Sequence, residues 1–453
     1  MIVALLLALS VASWVPARWR SSDPNSLEIV GETPVNCLLL EREHWSEKFA
    51  AQAAKRDIAT LGVIRPGGDA AAQAREAMAR KLSGIVLEGD FEEGLTARVR
   101  DSLTGAQAVL IELRPRWALR WDQGAPVVGT YQGLWPGIQI QKDGAAKAAP
   151  TGGPWIDTNS GFLRFLRAAV DAPIWIAYDP PPKSVITQER YLQAIADAAI
   201  NGARWIVSLD ADFERRLLER QERALATWRL MGTYLRYFEE HRDWVAGRPH
   251  GRLALIQDAD SGALLSGSIL DMVAVKHTPV RAVPRWKLSP GALEGARMAV
   301  NVDPESLSPE QKEVLRAFTR SGGTLLSGPP GWRFPATARD QITLAKEDVE
   351  RLDEIWRGVN SLVGRSNLGV RLFNVASMLS NLLETPGGQV VLHLVNYSGY
   401  PVEHVTAHFL GRYKKARLYS PEAPPRELEL YDVEGATAVD IPEVRVCATV
   451  VLE

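Results

Sequence analysis

Apolar residues in the first half of the chain fall in short continuous runs, and five of these stop at an acidic residue. They are CLLL before Glu41, GIVL before Glu88, AVLI before Glu112, IWIAY before Asp179 and WIVSL before Asp210. Unbroken runs of this length suit parallel strands buried on both faces; half-exposed strands alternate instead. The pattern predicts strands at 35–41, 59–64, 84–90, 108–114, 137–141, 173–179 and 203–210. Helices are predicted at 45–56, 69–82, 92–104, 160–170 and 191–201, the last closed by Gly202 as a C-cap. This rhythm predicts a (β/α)8-type barrel over 34–249 that lacks an evident eighth strand before a long helical stretch at 213–245.

The second half changes twice. Strands at 252–258, 279–284, 296–303 and 324–329 alternate with helices at 262–274 and over SPEQKEVLRAFTRSGG. The latter opens at Ser308-Pro309 and stops at Gly322-Gly323. Residues 250–335 are therefore expected to form a small doubly wound, flavodoxin-like parallel sheet. It carries neither GxGxxG nor GxxxxGK[ST], so no nucleotide site is indicated. A helical connector is expected over 336–387. From Gly388 to the C-terminus, short alternating runs such as VVLHLVNYS and VRVCATVVLE predict a β-sandwich over 388–453.

A chain of 453 residues is long enough for two or three domains. Its net charge of -2, with both signs mixed, provides no basic stripe, which argues against a nucleic-acid partner. The two cysteines, Cys37 and Cys447, stand at opposite ends and read as unpaired small apolar residues. The seven His show no metal-ligand spacing, so neither metal nor cofactor is expected. The apolar stretch IVALLLALSVASW, followed by Val15-Pro16-Ala17, reads as a signal peptide over 1–17. That reading predicts a secreted or periplasmic protein with no membrane span after cleavage; an uncleaved N-terminal anchor is the alternative. Residues 18–33 read as a short polar arm.

A barrel gathers the carboxyl ends of its strands on one face. Several carboxylates there suit glycosidic hydrolysis, in which one acid protonates the leaving oxygen and a second acts as nucleophile or base. Glu112 and Arg114 alternate to the same side, where they could hold a sugar or form an internal salt bridge. The Trp- and Gly-rich stretch 115–160 offers Tyr131, Gln132 and Trp135 for stacking and hydroxyl contacts. It also offers Trp155, Asp157 and Asn159 near a helix start, where Asp157 competes as a plain N-cap. Asp179 follows Tyr178 and precedes Pro180 to Pro182, which would fix it at the rim. Asp210, with Asp212 beyond it, could act in the mouth or cap the following helix. Glu88 and Asp90 flank Gly89 on one side of a strand, and Glu41 ends the first run.

The order of barrel, small parallel sheet and sandwich resembles bacterial barrel glycosidases of the β-galactosidase type, which carry a glutamine-amidotransferase-like middle domain. The stretch LSPEQKEVLRAFTRSGGTLLSGP resembles that domain, and VVLHLVNYSG, KARLYSP and VVLE resemble the closing sandwich. The resemblance implies a carbohydrate substrate, an acid/base Glu after the fourth strand and a nucleophile Glu after the seventh. By this count Glu112 takes the first position and Asp210 the second, with Asp179 as a further candidate. The Asn-Glu pair of the family is absent, since Ile111 precedes Glu112, and Asp210 is not Glu. The middle domain has no Cys nucleophile, so a structural or homo-oligomerising role is expected of it. Two functions follow as expectations: a secreted glycoside hydrolase, or an inactive barrel that binds carbohydrate or serves as a structural module.

Overall fold

The computed structural model of the chain describes residues 11–453 apart from 105–107, 120–124, 148–152, 258–279, 302–306, 328–349, 351–356, 360 and 364–368. The chain divides into two compact units. The first comprises Met1–Trp135, Val170–Tyr191 and Ala203–Glu239; the second comprises Pro136–Ala169, Leu192–Gly202 and Glu240–Glu453.

Eight parallel strands make the sheet of the first unit. They are β1 (Pro16–Arg18), β2 (Cys37–Leu40), β3 (Ala59–Ile64), β4 (Gly84–Glu88), β5 (Val109–Arg114), β6 (Val128–Thr130), β7 (Ile174–Ile176) and β8 (Ala203–Trp205), paired in that order. The edges meet where the Arg18 amide donates to the Val207 carbonyl at 2.8 Å and the Val207 amide donates to that of Pro16 at 3.0 Å. The barrel is thus nearly closed.

The missing eighth strand is β1, which the sequence reading assigned to a leader. Its three residues pair with Cys37 to Leu39, and Val11 and Trp14 before it are buried in the barrel core. Cleavage after Ala17 would remove two of the three β1 residues together with this plug. The expected strand at 137–141 is not part of the barrel. Gly137–Ile138 pairs antiparallel with Ile156–Asp157 as a small hairpin of the second unit. The barrel strand of that region is Val128–Thr130, whose residues Val-Gly-Thr form no apolar run. Gly129 at its centre allows close packing, because a Cβ there would lie 2.4 Å from the Leu113 side chain.

Local signals set the helices. Ser46 caps α1 (Glu47–Ala54) and Asp69 caps α2 (Ala70–Ala79), each side chain accepting a backbone N–H of the first turn. The helices that follow are α3 (Glu93–Ser102), α4 (Ser160–Ala169) and α5 (Gln188–Ala199). The expected single stretch at 213–245 is divided into α6 (Ala211–Leu218), α7 (Glu222–Glu240) and a short turn at Arg242–Val245.

In the second unit, β9 (Leu253–Gln257), β10 (Val280–Pro284), β11 (Met298–Asn301) and β12 (Thr324–Ser327) form a parallel sheet in the order β10-β9-β11-β12. Helix α8 (Pro309–Arg320) opens with a full capping box between Ser308 and Gln311. It buries Leu315 and Phe318 against Ala254, Ile256 and Ala299. The helix expected at 262–274 lies outside the described residues.

Nine strands build the sandwich: β13 (Val370–Phe373), β14 (Met378–Glu384), β15 (Val390–Asn396), β16 (Val402–Leu410), β17 (Ala416–Ser420), β18 (Ala423–Leu428), β19 (Tyr431–Val433), β20 (Ala436–Val444) and β21 (Cys447–Leu452). One sheet runs β14-β15-β21-β17-β18, with Arg248–Pro249 on its β14 edge; the other runs β13-β16-β20-β19. The sandwich therefore begins by Val370, inside the expected helical connector. Strand β14 is buried at six consecutive positions, so it lacks the alternation that marks a half-exposed strand.

Candidate functional site

The barrel interior is filled by alternate residues of the strands: Cys37 and Leu39, Leu61 and Val63, Val86, then Val109, Ile111 and Leu113, with Trp175, Ala177 and Ile206. Continuing the same alternation toward the carboxyl ends brings Glu41, Arg65, Glu88, Asp179 and Ser208 to the mouth. Arg18, at the end of β1, joins them.

Arg18 organises this layer. Its Nη2 donates to Glu88 Oε2 at 2.8 Å and its Nε to Asp179 Oδ1 at 3.1 Å. Its Nη1 lies 3.9 Å from Glu41 Oε1. Arg65 donates to Glu88 Oε1 from Nη2 (2.9 Å) and Nε (3.2 Å), and it grips both oxygens of Glu41. Both oxygens of Glu88 are thus taken by guanidinium hydrogens. Gly89, at φ +146°, turns the chain away next to it, and a Cβ there would strike Pro66.

Asp179 differs. Its Oδ1 accepts from Arg18 and from Ser208 Oγ, the latter at 2.6 Å, while its Oδ2 has no hydrogen-bond partner among the described residues. The side chain is 54% exposed. Partial burial works against its charge, but Arg18, the Ser208 hydroxyl, Arg20 and Arg65 outweigh it and hold the carboxyl below the usual carboxylate range.

Glu214 on α6 has the opposite environment. Burial pushes its carboxyl above the ordinary range, despite Arg20, whose backbone N–H (3.2 Å) and Nη1 (2.9 Å) donate to its two oxygens. Arg20 acts electrostatically on both Glu214 and Asp179, and His44 acts on Glu214. The sequence reading missed Glu214 and Arg18. Glu214 stands inside a helix, not at a strand end, and Arg18 lay in the segment read as leader and arm. The available signal for Glu214 was its position, four residues after the Asp210 cap on the first turn beyond the last barrel strand.

The other expected residues are distributed as follows. Glu112 alternates with the interior residues Ile111 and Leu113, so it faces away from the barrel interior. There it pairs with Arg114 and, at 3.4 Å, with Arg100 of α3. The shared side of Glu112 and Arg114 is the helix side. Asp210 is the N-cap of α6: Oδ1 accepts from the Asp212 and Phe213 amides, and Oδ2 from Tyr191 Oη (2.8 Å) and the Ile186 amide. Burial, together with Asp210, raises the Tyr191 phenol well above its usual range.

Trp135 sits edge-on to Tyr178, Tyr191 and Trp205, and Tyr178 stacks on Trp205 at 5.2 Å. Gln132 is held by Arg116, which donates from its amide and its Nε. Tyr131 packs against the barrel core; its hydroxyl is raised by burial and by the nearby Asp90 and Glu88, and Asp90 is exposed. Trp155, Asp157 and Asn159 belong to the second unit. There Trp155 is buried under Lys147, Asp157 accepts from Gln139, and Asn159 donates to Asp197. Asp157 is a hairpin residue and not the cap of α4.

Among the described residues, no group of His, Cys, Asp and Glu is arranged to hold a metal ion. Nor is any helix there long and apolar enough to cross a membrane. Cys37 and Cys447 are free and buried.

No protein-family model matches the sequence, and no curated protein matches it. Solved structures do. Alpha-L-fucosidase isoenzyme 2 from Paenibacillus thiaminolyticus superposes with a TM-score of 0.60 at 11% identity, over 96% of this chain and 99% of that one. A rhamnosidase from Novosphingobium sp. PP1Y gives 0.48 at 13% identity, over 79% of this chain and 38% of that one. An exo-carrageenase from Bacteroides ovatus gives 0.42 at 10%, over 85% and 55%. The chain therefore has an α/β fold that it shares with a glycoside hydrolase: a (β/α)8-type barrel followed by a C-terminal β-sandwich.

Proposed function

We propose that the barrel is a glycoside hydrolase acting on a carbohydrate, with Asp179 as the ionised carboxylate and Glu214 as the general acid. The observation that carries this reading is the asymmetry of Asp179. One oxygen is anchored by Arg18 and Ser208 while the other is left for a sugar carbon or a water. Two carboxyls that both lie in the field of Arg20, one pushed down and one pushed up, divide naturally into base or nucleophile and acid. The position of Asp179 also supports it. With β1 counted, β7 is the seventh strand, and Asp179 follows it, where the resembled glycosidases carry their nucleophile. Glu88 ends the fourth strand, but two guanidinium groups, Arg18 and Arg65, hold its oxygens, whereas burial raises Glu214 despite its single arginine partner, Arg20.

The test uses Asp179→Asn and Glu214→Gln against a panel of aryl glycosides and oligosaccharides. Asp179→Asn should lower turnover by at least about a thousandfold on every substrate. Glu214→Gln should spare aryl glycosides with good leaving groups and lose the others, because only poor leaving groups need a proton. Full turnover by Asp179→Asn would sink the assignment. The second reading, an inert carbohydrate-binding barrel, draws on the arginine pairing of Glu41 and Glu88. It requires sugar binding with no turnover by the native chain. Export from the cytoplasm, an amidotransferase-like ancestry of the middle sheet and self-association through it belong to the same proposal; cell fractionation and sedimentation address the first and last.

A further inference from the structure

We propose that the sugar taken at the barrel mouth carries an anionic substituent, a carboxylate or a sulfate ester, and that Arg20 is the residue that reads it. The proposal rests on the mouth being the sugar site and adds the class of sugar. Arg20 stands two residues beyond the end of β1. Trp19, between them, turns to the helix side, where its ring meets Trp228 of α7 at 6.1 Å and its Nε1 donates to Ser26 Oγ. The Trp19 amide still donates to the Leu39 carbonyl, so the chain stays extended beside β2. Alternation therefore turns Arg20 to the same side as Arg18, about 7 Å further out. There its charge acts on Asp179 and on Glu214.

The free edge of Arg20 selects an anion. Its guanidinium uses only Nη1, on Glu214 at 2.9 Å. Nε and Nη2 meet no acceptor among the described residues, and the side chain is 43% exposed. Those two nitrogens form the fork that pairs side-on with a carboxylate. Elsewhere in this chain an acid takes that fork. Arg204 holds Glu239 through Nε and Nη2, both at 2.7 Å, and Arg229 holds Glu32 at 2.9 and 3.1 Å. The other anions of the mouth are met elsewhere. Glu41 and Glu88 are held by Arg65 and Arg18, and Asp179 by Arg18 and Ser208. Asp90 is exposed and lies beside Tyr131. Glu214, as the general acid, carries a proton when the substrate arrives, so Arg20 then faces the ligand without its counter-charge. A carboxylate or sulfate on the fork restores that charge, and two parallel hydrogen bonds fix its direction. A neutral hydroxyl fills part of the fork and leaves the charge unmet.

Calorimetric titration of the full chain with free monosaccharides tests this, since a free sugar binds without being cleaved. Glucuronate, galacturonate and mannuronate carry the carboxylate, and galactose 6-sulfate the sulfate ester; glucose, galactose and mannose are the neutral counterparts. At least one anionic sugar should bind about ten- to a hundredfold more tightly than its counterpart, as a charged bidentate pair should give. Arg20→Gln should lose that preference and keep the affinity for the neutral sugar. Arg20→Lys, which keeps the charge and not the fork, should retain only part of the preference. Neutral sugars bound as tightly as anionic ones, no binding of any anionic sugar, or an unchanged preference in Arg20→Gln would overturn the proposal. So would inorganic sulfate bound more tightly than every anionic sugar, which would mark an adventitious ion only. The native comparison needs no variant, so it decides even where a variant fails to fold. Titration reads binding and not turnover: its failure removes the anionic sugar, whereas full turnover by Asp179→Asn removes the catalytic assignment.

Discussion

The carboxylate of Asp197, on α5, is fully buried in the second unit, with no cation among the described residues acting on it. Four donors converge on it. Thr158 Oγ1 and Tyr397 Oη donate to Oδ1, both at 2.6 Å; the Asn159 amide (3.2 Å) and Nδ2 (2.8 Å) donate to Oδ2. Through these bonds one side chain ties α5 to the segment before α4 and to the end of β15. Asp197→Ala leaves four buried donors without an acceptor. Each unmet group costs about 1–3 kcal/mol, but they share one site and relax together, so about 3–5 kcal/mol is expected in total. Asp197→Asn should cost within about 1 kcal/mol. Its carbonyl can face Asn159, whose N–H groups cannot reverse, while its NH2 faces the two hydroxyls, which can rotate to accept. Burial raises the folded-state carboxyl above its ordinary value despite the four donors. An acid with a raised folded pKa stabilises most below its unfolded pKa, about 3.9, and that contribution is lost as pH rises through the folded value. The stability of the native chain relative to Asp197→Asn should therefore fall from pH 4 upward and then level off. Urea denaturation of the three proteins from pH 4 to 8 measures both effects. A cost below about 1 kcal/mol for Asp197→Ala, or a native-minus-Asn difference that rises with pH, would refute the reasoning.

Two further outcomes concern the barrel. Ser208→Ala removes one of the groups that lower the Asp179 carboxyl, so its pKa should rise. Activity that needs the carboxylate is lost as pH falls through that pKa, so the acid limb of the kcat/KM profile should move to higher pH; an unmoved limb would separate Ser208 from Asp179. Glu112→Gln, on the helix side of β5, should keep native turnover but lose about 3 kcal/mol of stability, because it leaves the buried Arg114 guanidinium without its counter-charge. A loss of activity without a loss of stability would return Glu112 to the mouth.

The sequence carries the barrel's rhythm because its long strands are buried on both faces, and unbroken apolar runs reveal that directly. It hides β1 and β6 because Pro-Ala-Arg and Val-Gly-Thr form no apolar run, unlike β7 and β8, which lie within IWIAY and ARWIVSL. Their existence depends on partners distant in sequence, Cys37 to Leu39 for β1 and Ile174 to Ile176 for β6. The acidic ends of the runs were visible, but their direction was not. Whether a strand-end acid points inward depends on its parity relative to the interior residues, and a single strand read alone has two equivalent faces. Glu88 shares parity with Val86 and faces the mouth, whereas Glu112 falls between Ile111 and Leu113 and faces the helices.

The missed strand and the misdirected acid are linked. Without β1, the strand bearing Glu112 counts as the fourth and the strand before Asp210 as the seventh. With β1, Glu88 ends the fourth and Asp179 follows the seventh. One three-residue strand therefore changes which carboxylates stand at the positions the resemblance singles out. It also provides Arg18, the guanidinium that bridges the two. The segment most easily taken for a leader is thus the one that assembles the mouth. Arg18 stands at the carboxyl end of the strand that closes the barrel, so closure and the charge state of Asp179 depend on the same three residues.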